Sequence, residues 1–530
     1  MAASELPAIA GWRLHARLAR TVERLRPQDL DRLAYHYSRA GTEVDRDRAL
    51  GVMLDAGERA HGLAAHEEAA GHFGAALSLV RDGRRPELLA HVLERLGESW
   101  DPLGEVAAAM EVWAEAVRES EQQGDALSAA RLRRRLGMGA RGLGDLPSAR
   151  RHLAAGVDVL RDLPPSEELV DLYHARLFVD SPLFDPEGAA DIVAELSRLA
   201  GVLGSARCMI ESLSGEGALL LGRGDYPRAR AKAEEALRIA EETGDWNLLQ
   251  RAHRDLAWVT WFVADHDAAR LHAAAQLELD QRLGAPAQEP LSRLQFALSD
   301  VISGNLQRAI EQAEEAAAQA RRHDQRRTLL IAVGTLAMAH ALRGDLDRSE
   351  ECLAEVRDAV RASSGDRMLY FIWLPEAVLA SERGDADGVL AATAPLRLPA
   401  AWVLTGAAQV MTGDLEEALA TAQQMAALGP PGSFPAALAD RVFGLVEQAR
   451  GDVEAAREHF ERSAAALTAL RLPLEAAISQ LHAGTVESLR QALVTFETSG
   501  AARYADRTRR ALRSLGVRIP SRRPGRTPDG

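Results

Sequence analysis

Three histidines, His61, His66 and His72, come closest to a metal-binding cluster in this sequence, and Glu67 and Glu68 lie between them. Their spacings of five and six do not place two imidazoles on one face of a helix, as a spacing of four would. Elsewhere, closely spaced aspartates coincide with predicted helix starts, where Asp serves as a cap. We therefore predict no metal site. These aspartates occur at 45 and 47 and in Asp265-His266-Asp267.

Nucleophile and phosphate-binding motifs are also missing from the sequence. No Gly-x-Ser-x-Gly occurs, and Gly215-x-Gly217 lacks the third glycine of a dinucleotide fingerprint. Lys232, the only lysine, does not follow the glycines of a phosphate loop. Cys208 and Cys352 form no C-x-x-C pair. We predict no catalytic residues, no cofactor and no enzymatic activity. A catalytic site without a motif, hidden in a groove, is the alternative.

Composition indicates what kind of scaffold holds these residues. Of the 530 residues, 47% are hydrophobic and 26% charged, but only 5% are aromatic, and helix-forming Ala, Leu, Arg and Glu dominate. The fold class predicted is all-α. A net charge of −14 argues against general affinity for nucleic acid or anionic membranes. Two unpaired cysteines indicate a reducing compartment, and the sequence shows no signal peptide. It also has no apolar run of about 18 residues that could span a membrane, so we predict a cytoplasmic protein.

A repeat with a period of 40 residues organises the chain. Gly-Asp pairs recur at 144, 224, 344 and 384, and the period fills the gaps between them. Seven residues before each turn, ten of eleven units have Gly or Ala, and Ala dominates five residues after it. The predicted turns lie at Ala64, Gly104, Gly144, Phe184, Gly224, Ala264, Gly304, Gly344, Gly384, Gly413 and Gly451.

Each repeat unit is predicted to be a helical hairpin. Gly at the turn ends one helix in the left-handed conformation, and the following Asp caps the next helix. A second helix breaker comes half a period later, so stacked hairpins form an α-solenoid. These breakers are Gly124, Pro164, Gly204, Gly244, Gly284 and Gly365.

The pattern resembles the tetratricopeptide repeat (TPR), which has a small residue in helix A, a Gly-Asp-like turn and an Ala in helix B. The family's large aromatic residue corresponds to Tyr173, Trp373 and Trp402 here. The resemblance implies a TPR-like α-solenoid, a right-handed superhelix of hairpins. A period of 40 instead of about 34 indicates longer helices, as in the sensor arrays of MalT-like regulators.

Both ends of the sequence resemble parts of LuxR-type, ATP-dependent bacterial transcriptional regulators. The similar segments are Leu14–Ala19, Leu33–Tyr37 and Ala65–Leu77 near the start, and Leu489–Leu515 with Gly516–Gly525 near the end. The family's ATPase module would precede the first segment and its helix-turn-helix domain would follow the last. The resemblance implies a sensor and protein-interaction region without either module, and a stand-alone TPR scaffold is the alternative. The predicted domains are N-terminal helices at 1–45, regular repeats at 46–398, degenerate repeats and a cap at 399–515, and a basic, Pro-rich disordered tail at 516–530.

By the same resemblance, helix A lines the concave groove, with exposed positions 13, 10, 6 and 3 residues before the turn. Those positions combine arginines and tryptophans with a strip of apolar residues. We expect them to hold a protein partner or a small effector, such as a peptide or an amphipathic ligand with an anionic end. In the alternative, the apolar residues only pack against neighbouring repeats. Direct nucleic-acid binding and membrane binding are not expected, and self-association is left open. The candidate residues are Arg131, Arg134, Arg141, Arg251, Arg254, Trp258, Trp261, Leu294, Leu298, Met338 and Phe371.

Overall fold

A computed structural model describes residues 8–83, 85–181, 185–286, 288–323, 325–362, 370–396 and 398–518, with the side chains of 8 and 358–371 left out. Within these residues the chain forms 27 α-helices and two short 3-10 helices, without a strand. None of the described helices is long and apolar enough to cross a membrane. The prediction of an all-α chain is confirmed.

Two helices, α1 (Ala8–Leu25) and α2 (Leu30–Ser38), precede the hairpins. The first helices of the hairpins are α3 (Arg46–Gly62), α5 (Pro86–Trp100), α7 (Ala126–Gly142), α9 (Glu167–Val179), α11 (Ala206–Gly222), α13 (Trp246–Phe262), α15 (Glu289–Ile302), α17 (Arg326–Arg343), α19 (Tyr370–Arg383), α21 (Pro399–Thr412), α23 (Phe434–Arg450) and α25 (Pro473–Ala483). Their partners are α4 (His66–Gly83), α6 (Val106–Gln123), α8 (Leu146–Leu160), α10 (Pro186–Leu203), α12 (Tyr226–Thr243), α14 (His266–Arg282), α16 (Leu306–Arg322), α18 (Leu346–Ala362), α20 (Ala386–Thr393), α22 (Leu415–Ala426), α24 (Val453–Ala469) and α26 (Val486–Ser499). The last helix, α27 (Ala502–Ser514), follows α26.

The predicted turns lie between the two helices of each hairpin. Ten of the eleven turn residues have positive φ, from 57° at Ala64 to 98° at Gly344, and the eleventh, Phe184, lies outside the described residues. The carboxylate of Asp145 accepts a hydrogen bond of 3.0 Å from the backbone N–H of Ser148, which caps α8. The expected capping by a turn aspartate is therefore confirmed at Asp145, whereas Asp414 makes no side-chain hydrogen bond that caps α22. The same cap occurs at Asp45, Asp185, Asp225, Asp265, Asp385 and Asp452.

Glycine in the first helix of several hairpins allows the second helix to approach closely. A Cβ added to Gly97 would lie 2.3 Å from Nε1 of Trp113, whose ring is buried between α5 and α6. Gly57 has the same relation to Phe73, since an added Cβ would lie 2.7 Å from that ring. In both pairs the large residue follows the glycine by 16 positions. The small residues of the repeat pattern therefore leave room for a large side chain from the second helix of the hairpin.

Successive turns of the superhelix pack against one another. Nδ1 of His323 donates a 2.8 Å hydrogen bond to the backbone carbonyl oxygen of Leu103, 220 positions away. Arg471 and Asp267 form an ion pair of 2.7 Å across 204 positions. Helix α17 contacts both α7 and α27, each ten helices, or five hairpins, distant in the chain. The TPR-like α-solenoid is thus wound tightly, with about five hairpins in a turn.

The hairpins continue past residue 398, where the sequence predicts a change to degenerate repeats. Helix α21 packs against α19, α20, α22 and α23, and α25 packs against α24 and α26. A further turn with the same chemistry occurs at Gly484, where φ is 71° and Thr485 caps α26. The basic residues predicted for the tail beyond 518 lie outside the described residues.

Candidate functional site

A cavity of about 600 Å³ lies inside the C-terminal half of the superhelix. Eight helices line it, and all of them are odd-numbered: α13, α15, α17, α19, α21, α23, α25 and α27. The cavity is therefore enclosed by the first helices of successive hairpins, together with the last helix. Among the lining residues, Met411 and Arg383 are exposed, and they lie near the C-terminal ends of α21 and α19.

One part of the cavity wall is apolar. It is built from side chains that the regular repeat spacing brings to the inner face of α13 to α23. Most of them belong to the largest buried cluster of the chain or pack against it. The apolar wall consists of Trp261, Leu298, Met338, Leu374, Val378, Leu404 and Leu438.

The other part of the wall is charged and connects α19 with α27. Glu382 is buried, with its side chain 2% exposed. Its Oε2 lies 3.3 Å from Nη2 of Arg507 and 3.5 Å from Nε of Arg503. Arg503 also donates a hydrogen bond of 2.7 Å from Nη2 to the backbone carbonyl oxygen of Glu382. One carboxylate therefore fixes two guanidinium groups of the last helix.

A second charged pair joins α23 to α25. The side chain of Arg441 is 6% exposed, and its Nη1 lies 2.7 Å from Oε2 of Glu475. The same guanidinium donates from Nη2 to the backbone carbonyl oxygen of Glu475 at 2.7 Å and from Nε to Oγ of Ser479 at 2.9 Å. These contacts hold Arg441 in one orientation beside the cavity.

Two aromatic groups stand between these charged pairs. Burial, together with the positive charges of Arg441 and Arg507, lowers the pKa of His482 to about 4, so the imidazole is neutral at pH 7. Its ring stacks on Phe460 with 5.2 Å between centroids. Burial and the neighbouring Glu382 carboxylate raise the pKa of Tyr504, which keeps its hydroxyl protonated. Neither group contributes charge to the cavity at neutral pH.

The charged part of the cavity has an excess of positive charge. Arg441, Arg503 and Arg507 carry three positive charges, and Glu382 and Glu475 carry two negative charges. A fourth lining arginine, Arg383, donates to Oε2 of Glu350 on α18 at 2.7 Å. The set formed by the three arginines and two glutamates, which we call the charged end, therefore has a net charge of +1.

Of the apolar and aromatic residues predicted for the groove, three line the cavity: Trp261, Leu298 and Met338. Trp258 is partly buried beside Trp261, with an edge-to-face ring contact of 6.3 Å. Leu294 is completely buried in the core behind the wall. The side chain of Phe371 lies outside the described residues.

The predicted arginines lie on α7 and α13, away from the cavity, in a network of opposite charges. Arg134 Nε lies 2.7 Å from Glu168, and Arg131 Nη2 donates to Glu94 at 2.9 Å. Arg251 pairs with the buried Glu211. Arg131, Arg134 and Arg251 thus link neighbouring hairpins. Arg254 pairs with Asp255 at 3.0 Å, and Arg141 donates to the carbonyl oxygen of Phe178 at 3.0 Å.

The acidic partners of these arginines were not anticipated from the sequence, although a signal was present. The position 13 residues before the turn is Arg131, Asp171, Glu211 and Arg251 in four successive units. Opposite charges are neighbours at two of these three steps, and Glu211 forms an ion pair with Arg251. Burial and the nearby Arg251 lower the pKa of His174, which contacts Glu211 from α9, to about 3.

The histidines and cysteines singled out in the sequence lie apart from the cavity. His61 and His66 are in ring contact at 5.7 Å, and burial lowers the pKa of both. Within the described part of the chain, no group of three or more His, Cys, Asp or Glu side chains is arranged to hold a metal ion. Burial raises the pKa of the Cys208 and Cys352 thiols, which disfavours the reactive thiolate.

No protein-family model matches the sequence, and no curated protein matches it. Among solved structures, a Signal Transduction ATPase with Numerous Domains from Pyrococcus horikoshii, with a tetratricopeptide repeat sensor, is similar with a TM-score of 0.39 and 13% identity over 67% of this chain. This chain spans about half of that protein, 53% of its length. The APC/C hetero-tetramer Cut9-Hcn1 is similar with a TM-score of 0.49 and 16% identity, over 86% of this chain and 90% of that one. A Rap protein complexed with competence and sporulation factor is similar with a TM-score of 0.38 and 12% identity, over 78% of this chain and 98% of that one. These are likenesses of helical-array architecture, and nothing about function follows from them.

Proposed function

We propose that this protein is a non-enzymatic sensor and protein-interaction solenoid that binds a small effector inside its superhelix. The observation that carries the proposal is the cavity of about 600 Å³ enclosed by the first helices of successive hairpins. Small-molecule sites are mostly apolar concave spaces of about 300–1,000 Å³ with a few convergent polar groups. This cavity has that size and that division into an apolar wall and a charged end.

Tight winding favours a small effector over a long peptide at this site. Because turns five hairpins apart pack together, the inner face of the solenoid is not one continuous open groove. Residues of α25 and α27 complete the wall, and α27 contacts α17 and α19 directly. Protein partners are then expected on the outer surfaces of the array, and the effector would change how well those surfaces bind.

A neutral fluorescent probe tests whether the cavity binds ligands. Prodan is apolar and uncharged, and its emission increases and shifts when it leaves water. We expect saturable binding of one probe per chain. Ala407→Phe, which places a ring in the cavity, should abolish that binding, whereas Ala420→Phe on the exposed face of α22 should not. Equal binding by wild type and both variants would contradict the proposal.

We propose further that the solenoid serves as the sensor region of a LuxR-type transcriptional regulator. The support comes from the segments at both ends of the sequence that resemble that family, together with the TPR-like array between them. Sequencing the gene and its transcript beyond both ends tests this role. A phosphate loop upstream and a helix-turn-helix downstream, both in frame, are the expected result. Finding neither would favour the alternative, a stand-alone scaffold for protein assembly.

A further inference from the structure

We infer that the cavity takes an amphipathic organic anion, with a hydrocarbon body against the apolar wall and one carboxylate or similar acidic head at the charged end. The inference rests on the proposed function, because it names the chemical class of the effector. The juxtaposition that carries it is a set of large apolar side chains that adjoins three arginines and two glutamates in one cavity.

The charge of the head group follows from the balance at the charged end. Glu475 is matched by Arg441 at 2.7 Å. Glu382 is shared by Arg503 and Arg507, at 3.5 and 3.3 Å. Two guanidinium groups, 39% and 37% exposed, therefore share one buried carboxylate, and one positive charge remains unmatched beside the cavity. A single negative charge on a ligand would complete the pairing, whereas a positive head group would add to the excess.

Arg507 is the residue best placed to receive the head group. Its guanidinium lies 5.3 Å from the ring centroid of Tyr504, and both residues line the cavity. Arg441, in contrast, already has three contacts to Glu475 and Ser479 that fix its orientation. Arg503 is held by the backbone carbonyl of Glu382. We assign Arg441 and Arg503 to positioning and Arg507 to ligand binding.

The body of the ligand follows from the apolar part of the cavity wall. Leu298, Met338, Leu374 and Val378 come from three helices and offer apolar contact, with Thr335 and Ser381 as hydroxyl groups among them. A sugar or a nucleotide would leave its hydroxyl or base groups unpaired against this wall, which disfavours binding. A chain of about ten carbons gains from every buried methylene and is flexible enough to fit the space.

The test is calorimetric titration of the full chain with three compounds that share one body: decanoate, decan-1-ol and decylammonium. At pH 7.5 and below their aggregation concentrations, we expect decanoate to bind at least about tenfold more tightly than decylammonium, with the alcohol between them. Arg507→Gln should weaken decanoate binding about tenfold and leave decan-1-ol unchanged. Arg510→Gln, an exposed change on the same helix, is the matched control.

Each outcome separates the anion inference from the proposed function. If prodan binds in a way that Ala407→Phe abolishes, while decylammonium binds as well as decanoate, the anion inference is wrong and the proposed function stands. If neither prodan nor decanoate binds, both are wrong. The comparison of the three head groups uses the unaltered chain, so it does not depend on whether Arg507→Gln folds.

Discussion

Arg503 in α27 donates a 2.7 Å hydrogen bond to the backbone carbonyl oxygen of Glu382 in α19, across 121 positions of the chain. The Glu382 carboxylate faces the same arginine and Arg507. The last helix is therefore tied to the middle of the array at the wall of the cavity. We therefore expect a ligand that changes the pairing of these arginines to change how firmly α27 is held.

Removing the charge of Glu382 should loosen α27. Glu382→Gln keeps the shape of the side chain but removes the carboxylate from two arginines that solvent partly screens, at an expected cost of about 1–2 kcal/mol in local stability. Hydrogen exchange of backbone amides measures this, and we expect faster exchange in α27 than in α13. The control is Glu497→Gln, which breaks the surface pair with Arg509 and should cost less than about 1 kcal/mol. Unchanged exchange in α27 would show that this ion-pair group does not hold the helix.

Adding a single methyl group at a glycine that packs against a large side chain inside a hairpin should strongly lower stability. Gly97→Ala places a Cβ 2.3 Å from the buried indole of Trp113, so we expect a loss of about 1–3 kcal/mol in the free energy of unfolding of that hairpin. Gly71→Ala is the matched control in α4, where nothing lies within 4 Å of the added Cβ. That variant should be neutral or more stable, because alanine favours the helix. Equal urea midpoints for the two variants would contradict the packing described.

Packing between superhelical turns can be separated from backbone strain with two further glycines. Gly244 and Gly284 have φ of 65° and 60°, so alanine is strained by a similar amount at each, about 1 kcal/mol. An added Cβ has open space at Gly244 but would lie 2.8 Å from the backbone oxygen of Ala64 at Gly284. We therefore expect Gly284→Ala to lower the thermal midpoint more than Gly244→Ala. Small-angle X-ray scattering should also show an increased radius of gyration for Gly284→Ala and an unchanged one for Gly244→Ala. The same midpoint and radius for both would mean that the turns do not pack together in solution.

Acid should destabilise the C-terminal hairpin through His482. Its pKa in the folded chain is about 4, against 6.5 in the unfolded chain, so the unfolded state binds more protons between these values. Stability contributed by the neutral imidazole is complete above pH 6.5 and falls as the pH decreases, by about 2 kcal/mol at pH 5. Hydrogen exchange of α25 at pH 7.5 and pH 5, corrected for intrinsic rates, measures the loss. His482→Gln should remove most of it, and an unchanged pH dependence in that variant would contradict the assignment.

The turns and the hairpins could be predicted from the sequence because their causes are local. A residue at positive φ followed by a capping aspartate specifies the hairpin wherever it occurs, and Gly144 with Asp145 is a clear example. The spacing of 16 between Gly97 and Trp113 follows from the same repeat. These features need no knowledge of distant parts of the chain.

The cavity and its charged end could not be predicted in the same way. They depend on how far each hairpin rotates relative to the last, which brings α27 back to α17 and places Arg507 beside Glu382. The pairing of Arg251 with Glu211 could have been predicted, because both residues lie 13 positions before successive turns. The partner of Arg131, Glu94, lies 10 residues before its turn, so no single repeat position predicts that pair. The apolar groove residues were predicted only in part, because Leu298 lines the cavity whereas Leu294 is buried in the core.

The most direct test of the central claim is an anomalous difference map from crystals of the full chain grown with 10-bromodecanoate. The account predicts one bromine peak within the cavity beside Leu298, Met338 or Leu374, with the carboxylate density at Arg507. Peaks only on the outer surface of the array, or a cavity filled by repacked side chains, would contradict it.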